Sequence, residues 1–136
     1  MNTDKIFGGR RWSRKIGASV AALKALRNEV RIVLPQELFA FYAYSNGGDG
    51  ELGVEPGWFV VWSAEEVVRL NVEYGVAVDY PGYFAFGSNG AGELLVFEVA
   101  DGECGRVVMV ALIGGEPVVI AESFAQFMIS MGSSYG

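Results

Sequence analysis

LPQELFAFYAYSNGGDG, residues 34–50, is the stretch that decides the fold. Pro35 has its φ already near the helical value and no N–H to lose, which suits the first position of a helix. Leu38, Phe41, Tyr42 and Ser45 follow at i, i+3, i+4 and i+7, and Asn46 and Gly47 offer the left-handed conformation that closes a helix. The spacing predicts a short, aromatic-rich helix running into a Gly-rich loop. That much apolar surface must be buried against something larger, and the β-rich remainder of the chain is the only candidate.

Upstream, Val20, Leu23, Leu26 and Val30 recur at helical spacing from Ile16 onward, with Lys24, Arg27, Asn28 and Arg31 between them. This predicts an amphipathic helix ending near Ile32 or Val33, because Pro35 drives Leu34 out of the α region. Before it, residues 1–15 carry Arg10, Arg11, Trp12, Arg14 and Lys15 with no apolar period, and read as a basic, loosely held arm.

Downstream, the loop 46–57 is rich in glycine and holds Asp49, Glu51 and Glu55. WFVVW, residues 58–62, has the aromatic and β-branched composition of a strand. Trp58 and Trp62 then share one face, Phe59 and Val61 the other; such a shared face is a core face or a partner surface. Ser63 with Glu66 reads as a capping box, and Val67, Leu70 and Tyr74 continue a helix as far as Gly75. A loop over residues 76–82 leads to YFAFG (83–87), ELLVFEV (93–99), RVVMVAL (106–112) and PVVIA (117–121), joined by short Gly-containing turns. These are antiparallel hairpins. Ser123 and Gln126 form a second capping box, and Phe124, Phe127, Met128 and Met131 make the stripe of a last helix. The fold expected is α+β, with N-terminal helices and a C-terminal helix packed on a mainly antiparallel β-meander. The domain spans 16–131, with a tail over 132–136.

The 136 residues suffice for one domain and bury most of their surface without a staple. No run approaches the ~18 consecutive apolar residues of a membrane span, and no apolar signal core opens the chain, so a soluble cytoplasmic protein is expected. Cys104, the single cysteine, can form no internal disulfide and reads as a small residue in a turn. The net charge of −6 conceals a division. Residues 1–31 hold eight basic side chains against two acids, a net of +6, whereas residues 32–136 hold two against fourteen, a net of −12. A body of that sign repels nucleic acid and attracts basic proteins.

No histidine is present, which excludes Ser-His-Asp and Cys-His catalysis. Lysines stand only at 5, 15 and 24, so no phosphate loop exists, and GSNGAG reads as a hairpin turn. Asp49, Glu51 and Glu55 could flank a sugar or hold a divalent cation, though their spacing fits no calcium loop. No cofactor is expected.

The order and separation of these elements resemble the SUKH family, the superfamily that includes fungal cell-wall-synthesis regulators and many bacterial immunity proteins. The resemblance is carried by LPQELFAFYAYSNGG (34–48), WFVVWSAEEV (58–67), YFAFGSNGAGELLVFEV (83–99) and AESFAQFM (121–128). Glu98 stands where the family often has Asp. The resemblance implies no catalytic set. It implies a non-enzymatic binder that neutralises a toxin, often a nuclease, and an acidic body facing a basic toxin fits that physically. The candidate contacts are Asp49, Glu51, Glu55, Glu65, Glu66 and Asp79 for charge, with Trp58 or Tyr80, whichever is exposed, as aromatic anchors. A regulatory scaffold for a cellular partner and a carboxylate-based enzyme or small-ligand binder are the alternatives.

Overall fold

The computed structural model describes residues 10–134. Along them run β1 (Trp12–Arg14), α1 (Val20–Glu29), α2 (Gln36–Tyr44), β2 (Gly48–Glu51), β3 (Trp58–Val61), α3 (Val67–Glu73) and α4 (Val76–Asp79). Then follow β4 (Tyr83–Ser88), β5 (Glu93–Ala100), β6 (Glu103–Ala111), β7 (Val118–Ala121) and α5 (Phe124–Ser130). The seven strands form one sheet in chain order, each antiparallel to its neighbours. The chain is therefore an α+β fold with helices on an antiparallel meander.

The helix expected in the deciding stretch is α2. Pro35 caps it and Gln36 is its first helical residue, one position later than the spacing predicts. Leu38, Phe41, Tyr42 and Ser45 are all 0% exposed, so the predicted stripe is the buried face. Phe41 meets Phe124 edge to face at 6.0 Å, and Phe124 and Phe127 of α5 both reach Phe86 of β4 at 5.4 Å. Phe86 stacks on Phe97 of β5 at 4.6 Å, closing a ring cluster between helices and sheet. Such pairs contribute beyond simple area burial. In β5 and β6, Leu94 to Phe97 and Val107 to Val110 are buried without alternation, so both faces of the sheet's centre are covered.

Several boundaries differ from expectation. The predicted arm over 1–15 lies partly outside the described residues, but residues 12–14 are strand β1, paired with β2. The predicted loop 46–57 contains β2 itself. Both have one cause: Trp12 lies over β2, where a Cβ on Gly48 (φ +150°) would stand 2.5 Å from its ring and one on Gly50 2.4 Å from its Cβ. Glycines there make room for the indole, and their low strand propensity hides the strand. Trp12 then stacks on Phe41 at 5.7 Å. α1 starts at Val20 rather than Ile16, because the Ser19 hydroxyl caps it by accepting from Ala22 N at 3.0 Å. Residues 16–18 instead run beside the end of α2, with Ala18 N donating to the Tyr42 carbonyl and Asn46 N to that of Ile16. The loop 76–82 contains the short α4. Cys104 lies in β6, not in a turn, because the hairpin turns on Asp101 and Gly102, both at positive φ.

Candidate protein-binding surface

Two glycines of the deciding stretch launch the hairpin of β2 and β3. Gly47, at φ +90°, could carry no side chain, since a Cβ would lie 2.5 Å from the Val61 carbonyl oxygen. Ser45, fully buried, accepts from Lys15 N at 2.9 Å and donates to the Gly47 carbonyl. From there Glu51 pairs with Trp58 and Asp49 with Val60, while Ser13 of β1 lies beyond Asp49. Phe59 and Val61 face inward and are buried. Asp49, Glu51, Trp58 and Val60 therefore share the outer face, and directly opposed residues have Cβ atoms roughly 5 Å apart. Trp58 is 45% exposed there. Glu55 sits exposed on the connecting turn, which closes through Leu52 N donating to the Gly57 carbonyl at 3.0 Å. Among the described residues, none of Asp49, Glu51 and Glu55 makes an ion pair.

The other predicted contacts lie elsewhere. Glu65 accepts from the Asn46 amide at 2.7 Å, and Ala64 N donates to the same amide's oxygen at 2.8 Å, so the end of α2 is tied to the approach to α3. Glu66 receives the Ser63 hydroxyl at 2.9 Å and an Arg69 nitrogen at 3.4 Å. The capping box expected of Ser63 and Glu66 is absent: they bond side chain to side chain, and α3 starts a turn later, at Val67. The second box is nearly as expected, with Gln126 N donating to Ser123 and Glu122 N to the Gln126 side chain. Asp79 is exposed at the end of α4, whereas Tyr80 is half-buried, its hydroxyl donating to the Ala111 carbonyl at 2.6 Å. The eight residues thus fall into three groups, and only Asp49, Glu51, Glu55 and Trp58 share one hairpin. The shared face of Trp58 and Trp62 is divided as well: Trp62 is buried beneath Tyr74, stacked at 5.7 Å, while Trp58 is left open.

Among the described residues no three Asp, Glu or Cys side chains gather closely enough to hold a metal ion. Hollows lined by Arg27 and Phe39, by Val68 and Phe84, by Ile32 and Val99, and by Glu93 and Ile113 include none of Asp49, Glu51 and Glu55. Burial pushes the Cys104 thiol up to about 12, which disfavours a thiolate nucleophile. A bidentate pair with Arg106 at 3.0 and 2.9 Å holds the Glu98 carboxyl below its usual range, so that acid is paired on its own sheet. What sequence reasoning missed is the frame: β1 and Trp12, whose only sequence signal is the alternation Gly48-Asp49-Gly50 opposite an aromatic.

An antiparallel meander closed by helices defines a class of small α+β domain. The model of the SMI1 / KNR4 family (SUKH-1) matches residues 17–130, and the chain belongs to that family. No curated protein matches it. The matched span begins at residue 17, after β1 (Trp12–Arg14). No helix among the described residues is long and apolar enough to cross a membrane.

Proposed function

We propose that this protein is a non-enzymatic binding module of the immunity type, which neutralises a basic toxin such as a nuclease by covering it with the outer face of the β2–β3 hairpin. The observation that carries the reading is Trp58, 45% exposed with Glu51 directly across from it and Asp49 two pairs along on the same face. Tryptophan is among the residues enriched at binding hot spots, and acids without ion pairs beside it speed the encounter with a cationic partner. Membership of the family supports a protein partner, and the lone thiol suits the cytoplasm, where it stays reduced.

The test starts from the partner recovered by co-purification from the native host and identified. Trp58→Ala should raise its Kd about tenfold or more, mainly through faster dissociation. Asp49→Asn with Glu51→Gln should slow association and flatten its salt dependence. Identical on-rates across a salt series, together with an unchanged Kd for Trp58→Ala, would overturn the reading.

A further inference from the structure

We infer that a second surface, the apolar groove between α3, α4 and β4, receives an amphipathic segment of a partner protein, with apolar side chains on its floor and a lysine or arginine beside Asp79. This rests on the protein-binding reading only in taking the occupant to be a protein segment; it does not need Trp58 to touch anything.

The groove follows from how α3 ends. Gly75, at φ +64°, turns the chain sharply into α4, and the reversal leaves Val72 and Val78 76% and 83% exposed on its flanks. Between them lies a hollow of about 340 Å³ floored by Val68, Tyr83 and Phe84. A second hollow of about 290 Å³ shares Ala77, Tyr83 and Phe84 with it and continues toward Ile32 and Val99. Asn71 also lines the first hollow, but its amide is spent inward. It donates to the carbonyls of Val67 and Ala85 at 2.7 Å each and accepts from Ala85 N at 2.8 Å. The asparagine therefore has no free N–H for an occupant, and the mostly apolar lining selects apolar side chains.

Charge decides which apolar segment fits. Arg69, the only basic residue of α3 and α4, is occupied by Glu66 at 3.4 Å and Glu73 at 2.6 Å. Asp79 is exposed, makes no ion pair among the described residues, and places Oδ2 3.4 Å from where a Cβ on Gly75 would stand. The rim thus carries an unneutralised carboxylate beside the lining, which favours a cationic segment over an acidic one.

The probe is a helical peptide of leucine and lysine, with a leucine and glutamate counterpart as its control, each titrated into the full chain and followed by methyl NMR. The leucine–lysine peptide should shift the Val68, Val72 and Val78 methyl signals, and the control should not. Val72→Asp, with Val78→Asp as a second surface variant, should weaken binding about tenfold or more. Asp79→Asn should weaken it about threefold, with the difference vanishing at high salt, and Trp58→Ala should leave it unchanged. The inference is overturned if neither peptide binds, if both bind alike, or if the shifts centre on the β2–β3 hairpin. Equal weakening by Trp58→Ala would overturn it too. So would concentration-dependent self-association abolished by Val72→Asp, which would seat a second copy in the groove.

Discussion

Tyr42 is the residue at which the interior is least satisfied. It is 0% exposed, and its hydroxyl is the one buried side-chain polar atom without a hydrogen-bond partner among the described residues. A buried unpaired hydroxyl costs about 1–3 kcal/mol, so Tyr42→Phe should stabilise the fold by about 1 kcal/mol in urea unfolding. The same residue sets a pH response. Burial, assisted by the charges of Glu65 and Glu66, raises its ionisation far above the ordinary value of 10.0, and burial takes the Cys104 thiol to about 12. Both groups keep their protons in the folded chain at pH values where an unfolded chain releases them. Stability is therefore full at neutral pH and falls as pH rises above about 9, where the unfolded thiol and then the unfolded phenol ionise. Urea midpoints at pH 7, 9 and 10 should decline, and Tyr42→Phe with Cys104→Ala should flatten that decline. An undiminished slope in the double variant would contradict this account. The helical stripe read from the sequence correctly put Tyr42 inside, but spacing carries no information on whether its hydroxyl finds a partner.

Among the elements, β1 is where sequence reading and structure part most. Three residues with two charged neighbours have no apolar alternation, and GDGE has none of the composition of a strand. Their pairing is made by contacts distant in sequence: Trp12 across Gly48 and Gly50, against Phe41 at 5.7 Å and Phe59 at 6.0 Å. Trp12→Ala should therefore cost about 3 kcal/mol despite its place near the N-terminal end. Hydrogen exchange should show the amides of residues 48–51 losing protection ahead of the β5–β6 core. If those amides stay as protected as in the parent, β1 is only a decoration. By contrast, β5, β6 and α5 were legible at once, because continuous β-branched runs and a helical aromatic stripe are local signals. The starts of α1 and α3 shifted for an equally local reason. Ser19 caps one residue before Val20, while the Ser63 hydroxyl goes to a carboxylate and leaves the cap unfilled. Asn71 shows a device no pattern reveals. Past Trp62, whose N–H still donates to the Phe86 carbonyl at 3.0 Å, the chain leaves the sheet, and an α3 side-chain amide takes over as the partner of Ala85 that another strand would have been.

Across the whole molecule, the division of charge between residues 1–31 and the rest is plain from the sequence, but where the acids converge is not. Of the predicted contacts, Asp49, Glu51 and Trp58 share a face of the β2–β3 hairpin because strand alternation, once β2 is known, places the two acids beside the indole, while Glu55 sits on the connecting turn. Glu65, Glu66 and Tyr80 are engaged by Asn46, Arg69 and Ala111, partners 19, 3 and 31 residues away in sequence. Trp62 is hidden by Tyr74 only because α3 folds back over it.

The described chain also begins and ends at the same place. The Arg10 guanidinium donates to the carbonyls of Ile129 and Met131, Arg11 N donates to the Gly132 carbonyl at 3.4 Å, and Gly132 N donates to the Glu51 carbonyl at 2.6 Å. Both ends of the described segment are thus hydrogen-bonded to one corner of the sheet. A circularly permuted gene, joining residue 134 to residue 10 through a short linker and opening at the exposed turn near Ile113, should yield a protein with the parental circular dichroism spectrum. Loss of that spectrum would mean the junction bears on folding order rather than on geometry alone. The same corner tells an experimenter where to graft: a reporter joined directly at residue 10 would emerge beside one joined at residue 134, turning one attachment point into two.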